Sequence, residues 1–338
     1  MSEASRAQIS TRHPLMRKAI SVARVLISLA VVAAVGYAAT SEWSAVRKTI
    51  TSLSWQSLTI AIGSVVLGMF ATVKVWQHLL AAIGVEVDYP QAVQVNLVGQ
   101  LGKYLPGSVW SFLLQAELGR RYRIPRPKAI VTLVLSAGVT IATALVISVF
   151  AIHPLLGRWG GVAWLLALGP LALLIAAPRV MTWISNTLLR LMRRPALDAP
   201  LIARHIPFAL VWSIASWLLF GLQLWALASS LGMLSFSSYL LVTGAFALAM
   251  SAGFVAFVLP SGVGVREAVI VAGLSPILAT GPALAFALTS RLIFTVADVS
   301  SALIAVVIAR GVGVRAARLG RETEQEPAAA RLAQAEGS

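Results

Sequence analysis

The chain contains no cysteine, and only 12% of its 338 residues are charged. The lack of cysteine excludes disulfide bonds, thiolate metal sites, iron–sulfur clusters and cysteine nucleophiles. Soluble proteins carry about 25% charged residues, so this chain has too little polar surface for a soluble domain of its size. Together with 58% hydrophobic residues and a mean hydropathy of +0.85, the low charge predicts an integral membrane protein and excludes the soluble enzyme classes.

Patterns of soluble catalytic sites are also missing. The four histidines lie far apart in the sequence, at 13, 78, 153 and 205, so none forms a pair with metal-ligand spacing. The sequence contains no Ser-His-Asp arrangement, phosphate-binding loop or dinucleotide fingerprint. We therefore expect no catalytic residues, no metal site and no cofactor.

Long apolar runs are what the sequence has in abundance. A helix needs about 20 apolar residues to cross the bilayer core, and seven runs reach or approach that length, while an eighth is shorter. The long runs are 20–39, 58–80, 129–151, 160–177, 207–228, 239–259 and 283–309, and the short run is 269–279. They predict an all-α polytopic membrane protein of about eight elements, some of them broken or re-entrant, whose two halves are candidates for inverted repeats.

Basic residues are concentrated in alternate connections between the predicted spans. With a cytoplasmic N-terminus and eight crossings, 21 of the 27 Lys and Arg residues face the cytoplasm, three face outward and three lie within spans. Cytoplasmic connections carry the basic excess in membrane proteins, so both termini are predicted to be cytoplasmic, in a plasma (inner) membrane. Residues 1–19 and 311–338 are predicted to be cytoplasmic tails, the second disordered, around a membrane domain at 20–310. This parity requires the short run at 269–279 to cross with its neighbours' help.

The topology makes a direct prediction. A reporter enzyme fused after Arg310 is expected to report a cytoplasmic location, because most of the basic residues then lie on that side of the membrane. Paired cytoplasmic and periplasmic reporters measure this. A periplasmic signal at that position would remove the last crossing.

Two segments place Leu-Pro and glycine between apolar helices. Residues 102–110 read GKYLPGSVW and lie within 84–128, which is predicted to be a re-entrant or interfacial helical hairpin; residues 259–267 read LPSGVGVRE. Paired interrupted segments point to a transporter's binding site, because half-helix N-termini aim unpaired N–H groups at anionic groups. Two interfacial loops with helix-stop signals explain the same pattern.

Arg291 and Asp298 lie deep in the last predicted span, two helical turns apart. A charge at mid-bilayer costs at least about 2.5 to 3.5 kcal/mol, so both are predicted to face a partner or a wet cavity. Two turns are too far for direct contact, and each is therefore expected to have another partner. The alternative is a structural pair that holds the last helix against the bundle.

Other charges allow two interpretations each. Glu267 opens a predicted helix, where a carboxylate favours the dipole whatever its function, and Arg266 beside it can be a topological charge. Lys103 continues a polar helical face toward the first break, and a solvated interfacial face explains it as well. The basic cluster at 120–128 is interpreted mainly as topology, near an anionic leaflet.

At these residues the sequence resembles the membrane region of the lysylphosphatidylglycerol synthases, also described as a flippase-like domain. Segments 102–110 and 259–268, followed by SRLIF at 290–294, match its characteristic segments in order, and the resemblance covers roughly residues 20 to 310. In bifunctional members this region is joined to a cytosolic aminoacyl-transferase domain and is associated with moving the modified lipid between leaflets. The resemblance implies a stand-alone translocator, with no transferase domain and no enzymatic activity expected.

The predicted site is a polar cavity at the two breaks that binds an anionic phospholipid or a lipid-linked envelope precursor and flips it between leaflets. Lys103, Arg266 and Arg291 would bind phosphate. Glu117, Glu267 and Asp298 would orient these cations or contact the head group. The remaining candidates are backbone and ring residues at the breaks: Tyr104, Pro106, Gly107, Trp110, Pro260, Gly262 and Gly264.

Two other functions stay open from the sequence. The first is an intramembrane enzyme that acts on a lipid-linked substrate, with Glu267 or Asp298 as general base. The second is a non-transporting structural partner of envelope-synthesis enzymes. Expected partners are anionic or polyprenyl-linked membrane lipids, with envelope-synthesis enzymes as further candidates. Nucleic acid is not expected, because the basic excess serves topology and contact with anionic lipid.

Overall fold

The computed structural model describes residues 43–104, 110–157, 160–197, 200–230, 236–255 and 264–307. Within these ranges the chain is helical and has no strand. The predicted span at 20–39 and both predicted tails lie outside the described residues. The helices are α1 (Trp43–Thr51), α2 (Trp55–Ala82), α3 (Tyr89–Val93), α4 (Trp110–Arg120), α5 (Arg126–Leu155), α6 (Gly160–Ile175), α7 (Ala177–Leu191), α8 (His205–Ser229), α9 (Tyr239–Val255), α10 (Val265–Leu274) and α11 (Thr280–Val307).

Four of these helices, α2, α5, α8 and α11, are long and apolar enough to cross a membrane, with 25 to 30 residues each. They confirm the predicted spans at 58–80, 129–151, 207–228 and 283–309. Local signals set their limits: Ser54 caps α2 by accepting the backbone N–H of Ser57 at 3.1 Å, and Gly84, with φ of 77°, ends it. The chain is therefore a multi-pass membrane protein.

Helices α5 and α8 both run antiparallel to α2. Ile202, just before α8, donates its backbone N–H to the carbonyl of Ala82 at the end of α2 (2.9 Å), and Gly68 in mid-α2 leaves no room for a Cβ against the ring of Phe220. Lys128, near the start of α5, donates to the carbonyl of Ile83 (3.3 Å). Helices α5 and α8 thus both begin where α2 ends.

Helix α11 runs opposite to α8 and parallel to α2. Ser290 donates to Gln223 in α8 at 2.9 Å, and Ser301 contacts the sulfur of Met69 in α2 at 3.5 Å. An aromatic cluster joins α8, α9 and α11 in the core: Phe294 stacks on Phe246 with ring centroids 5.5 Å apart, and Phe220 lies 5.1 Å from Phe294.

The segment between α2 and α5 forms the predicted hairpin. Its first leg continues α3 through a π-helical turn (Gln94–Val98) and a 3₁₀ turn (Leu101–Tyr104), and α4 is its second leg. A Cβ on Gly102 would lie 2.5 Å from the backbone nitrogen of Ser111, so the two legs touch where the chain turns. We call this unit hairpin 1.

Helices α9 and α10 form a second antiparallel hairpin, hairpin 2. Gly273 at the end of α10 faces Ala245 in the first half of α9, where a Cβ would lie 2.7 Å from the alanine Cβ. The ten residues of α10 span about 15 Å, half of the bilayer core. The crossings predicted for 239–259 and 269–279 are thus both wrong: these runs contribute the two legs of a hairpin that returns to the side from which it entered. Because two crossings are lost together, the predicted parity is kept.

The order of elements repeats along the chain. A long helix, a broken hairpin and a second long helix occur as α2, hairpin 1 and α5, and again as α8, hairpin 2 and α11. Because α2 and α8 are antiparallel, hairpin 1 enters from the end of the bundle where α2 finishes, and hairpin 2 enters from the opposite end. The two halves have the arrangement of inverted repeats.

The predicted span at 160–177 is shorter than expected. Helix α6 has 16 residues and contains Pro170, and α7 follows it directly. The residues of α7 belong to what the sequence suggests is a basic connection. Its buried residues Met181, Ser185 and Leu189 recur every fourth position. Met181 and Leu189 pack with buried residues at the ends of α2, α5 and α8, which gives a surface helix rather than a loop.

Candidate functional site

The most buried charge in the described residues is Glu267, whose side chain is 2% exposed at the start of α10. Its Oε1 accepts a hydrogen bond from Nη1 of Arg291 at 2.7 Å. Its Oε2 accepts the backbone N–H of Gly264 at 2.6 Å, at the position preceding the helix. Gly264 has φ of 85°, a conformation that favours glycine. The carboxylate therefore caps α10 and ties it to α11.

This ion pair lies far from both ends of α11. At 1.5 Å per residue, Arg291 is about 17 Å from Thr280 and about 24 Å from Val307. If α11 crosses the bilayer along its whole length, the N-terminus of α10 lies near mid-depth. The prediction that Arg291 has a partner other than Asp298 is confirmed: that partner is Glu267. The side chain of Arg291 is 27% exposed and keeps some access to the surroundings.

Arg266 is held differently. It is 7% exposed, and its Cζ lies 4.9 Å from the ring centroid of Phe294 and 5.2 Å from that of Phe246. Its Nη2 donates to Ser290 at 3.0 Å, and Ser290 donates in turn to Gln223. Aromatic faces and a hydroxyl thus stabilise a cation inside the bundle. The positive charge of Arg266 is fixed in place beside the Glu267–Arg291 pair.

Sequence reasoning missed the residues that hold Arg266: Gln223, Phe246, Ser290 and Phe294. Gln223 carries a signal that was available, because it is the one amide in the apolar run at 207–228, and a buried amide needs hydrogen-bond partners. Ser290 directly precedes Arg291. Phe294 closes the SRLIF segment at 290–294 that carries the family resemblance, whereas nothing in the sequence distinguishes Phe246 from other core phenylalanines.

Hairpin 1 contributes fewer described site residues. Gly102 is buried between the two legs, and Trp110 begins α4 with 46% of its surface exposed. Lys103 and Tyr104 belong to the 3₁₀ turn of the first leg. Pro106, Gly107, Pro260 and Gly262 lie outside the described residues, so their predicted roles stay predictions.

The two remaining acidic candidates occupy different environments. Glu117 is exposed on α4 and forms ion pairs with Arg120 (3.0 Å) and Arg126. The hydrogen bond from Arg126 is the main cause that lowers the pKa of Glu117 below its ordinary value. Asp298 is 5% exposed on α11, two turns beyond Arg291. No three His, Asp or Glu side chains in the described ranges lie close enough together to hold a metal ion.

The tips of the two hairpins are predicted to approach one another, since they enter from opposite ends and two helix breaks make an anion site only if they converge. The tips, 105–109 and 256–263, lie outside the described residues. In this cysteine-free chain, cysteines at Gly107 and Gly262 should form an oxidative crosslink that shifts the protein on a gel. A pair at Gly84 and Ser275 is the control, because these residues lie at opposite ends of the bundle. Crosslinking of the control pair alone would contradict the prediction.

Comparison with known proteins identifies the family of the chain. No curated protein matches the chain. The family described as the lysylphosphatidylglycerol synthase TM region matches residues 21–300, which include both hairpins and the Glu267–Arg291 pair. Since this match covers most of the chain and coincides with its repeated helical elements, the protein is a member of the lysylphosphatidylglycerol synthase TM-region family, whose name connects it with membrane lipid.

Proposed function

We propose that this protein translocates an anionic phospholipid or a lipid-linked envelope precursor between the leaflets of the plasma membrane, without covalent chemistry on its cargo. The observation that carries the proposal is the Glu267–Arg291 pair at the N-terminus of a half-helix, midway along a spanning helix. The membership in a lipid-related membrane family supports it. In this proposal both chain termini are cytoplasmic.

A phosphate that crosses the bilayer core needs a positive charge part-way, because an unpaired charge there costs several kcal/mol. Arg291 is suited to supply it. Its guanidinium has five N–H donors in a planar fork, and its hydrogen bond to Glu267 is made through Nη1. The Arg291 side chain is 27% exposed, which leaves room for a further contact. Arg266 is packed against the rings of Phe246 and Phe294 and contributes only its positive charge.

Glu267 acts as a positioning residue in this scheme. It fixes the guanidinium of Arg291 and the first turn of α10 with its two oxygens. Because both oxygens are engaged in this way, Glu267 serves as a structural anchor, which argues against it as the general base of an intramembrane enzyme. The acyl chains of the cargo would stay in the bilayer while the head group follows the hairpins. With no phosphate-binding loop in the sequence, a gradient or mass action would supply the driving force.

The test uses vesicles that contain the purified full chain and a phosphatidylglycerol labelled at its head group. Chemical quenching from outside measures how fast the label reaches the outer leaflet. Wild-type protein is expected to accelerate this exchange over protein-free vesicles. The neutral double variant Glu267→Gln, Arg291→Gln should abolish the acceleration and remain folded, because replacement of a buried ion pair by neutral groups is often tolerated.

The control is Glu117→Gln, which removes an exposed carboxylate that also pairs with arginines. It is expected to translocate at the wild-type rate. Wild-type exchange no faster than that of empty vesicles would refute the function. Full exchange by the folded double variant would leave the function standing but remove the Glu267–Arg291 pair from its site.

A further inference from the structure

A second polar feature lies at the end of the bundle where α2, α4 and α7 all finish. A pocket of about 840 Å³ opens between these helix ends, a size typical of small-ligand sites. None of the described residues that line it is acidic. Five of them are basic: Arg120, Arg123, Arg126, Lys128 and Arg194. The topology prediction places this end in the cytoplasmic leaflet.

The helix ends around the pocket are built in an unusual way. All three are closed by the same pair of backbone hydrogen bonds, made for example by Ile124 to Gly119 and by Arg123 to Arg120 in α4. This closure needs one residue in the left-handed region, which is normally glycine. Helix α2 uses Gly84, whereas α4 uses Arg123 with φ of 58° and α7 uses Arg193 with φ of 55°. Arginine takes up that strained conformation at both ends.

Compensation of the helix dipoles does not account for this amount of charge. Three helix C-termini present about half a negative charge each, and Glu117, outside the lining, pairs with Arg120 and Arg126. Lys128 also donates to the carbonyl of Ile83 at the end of α2. Against five lining cations this leaves an excess of about two to three positive charges. The pocket is therefore suited to an anion such as a phosphate.

The surroundings of the pocket indicate the source of that anion. On α7, whose last turn lines the pocket, Leu191 is 80% exposed and Trp183 is 68% exposed. Exposed apolar and tryptophan side chains beside basic residues are typical of a helix at the membrane interface. A ligand held by the pocket thus has an apolar surface next to its phosphate, which a soluble anion does not need.

We infer that this pocket binds the head-group phosphate of an anionic phospholipid from the adjacent leaflet, while the acyl chains lie against the outer face of α7. The site is separate from the Glu267–Arg291 pair and does not depend on translocation. It gives the basic cluster at 120–128 a binding role beyond topology.

The test measures binding to the purified full chain in a neutral detergent by titration calorimetry, with three probes. These are the short-chain lipid dihexanoylphosphatidylglycerol, its phosphatidylcholine counterpart and inorganic phosphate. The anionic lipid is expected to bind most tightly. Arg123→Gly should weaken its binding about five- to tenfold, since one basic residue near an anionic lipid contributes about 1 kcal/mol. The melting temperature should not fall, because glycine removes the left-handed strain.

Arg193→Gly is the matched control. It relieves the same strain at a neighbouring helix end, but Arg193 does not line the pocket, so binding should stay near wild type. Equal losses in the two variants, or equal binding of the two lipids, would overturn a defined anionic-lipid site. Equal binding of inorganic phosphate and the anionic lipid would show a site for soluble anions instead. If the chain binds the anionic lipid normally but does not translocate lipid, the proposed function is refuted and this binding site is not.

Discussion

Replacement of Glu267 by alanine is expected to destabilise the folded protein by about 3 to 5 kcal/mol, the effect of removing one partner of a buried ion pair. The variant leaves Arg291 without its carboxylate deep in the bundle and leaves the N–H of Gly264 without its acceptor. The first interaction links α10 to α11 and the second caps α10. Helix α10 has only ten residues and little stability of its own. Hairpin 2 should detach from α11.

The measurement is thermal unfolding in detergent, together with the amount of protein that accumulates in membranes. Glu117→Ala is the matched control: Glu117 also pairs with arginines but is exposed, so this variant should unfold near the wild-type temperature. The neutral pair Glu267→Gln, Arg291→Gln should recover most of the lost stability. If Glu267→Ala and Glu117→Ala have similar melting temperatures, Glu267 does not anchor α10 as described.

Gly102→Ala is expected to open hairpin 1 and to cost about 3 kcal/mol, at the upper end of what overpacking costs. The added Cβ would lie 2.5 to 2.7 Å from backbone atoms of Trp110 and Ser111. Backbone atoms cannot rotate away as a side chain does, so the two legs have to separate. Accessibility of a cysteine placed at Ser111 to a water-soluble thiol reagent reports the opening, and thermal unfolding gives its cost.

Gly138→Ala provides the comparison, because Gly138 lies within α5 and its Cβ would have nothing within 4 Å. Alanine favours helix over glycine by up to about 1 kcal/mol, so this variant should be as stable as wild type or more stable. Equal stability of the two alanine variants would show that the legs of hairpin 1 are not in close contact.

The long helices were predictable because their signal is local. Each of the four spans is a continuous apolar run. Insertion of a helix into the bilayer depends on its length and hydropathy, and not on which helices it later contacts. The breaks at 102–110 and 259–267 were also predictable, from proline and glycine. Helix α7 was not predicted, although its apolar positions recur with helical spacing and it contains only two charged residues, Arg179 and Arg190. It was included in a connection at 179–204 that was interpreted through its basic residues.

The sequence singled out two residues of the charged cluster but not the contact between them. The depth of Arg291 and the position of Glu267 at a helix start single out each of them in the sequence, and both enter the cluster. Their pairing arises because α10 is one leg of a hairpin, so that its first turn lies beside the middle of α11. The crossing predicted for 269–279 did not include this arrangement. Glu117 looks similar in the sequence, yet it lies on the surface with Arg120 and Arg126, because no local pattern distinguishes a tip from a flank of a hairpin.

The inverted halves have a consequence for synthesis. The contact between Ser301 and Met69 joins residues 232 positions apart, so the first half must wait in the membrane until the last helix has been made. Glu267 and Arg291, by contrast, are 24 residues apart, and Ser290 and Gln223 are 67 apart. These charged and polar side chains, which are the least stable in lipid, therefore have their partners within the second half of the chain. The surface of the first half that later contacts α11 is apolar, and lipid solvates apolar surface as well as protein does. This surface therefore does not promote aggregation of the nascent chain in the membrane.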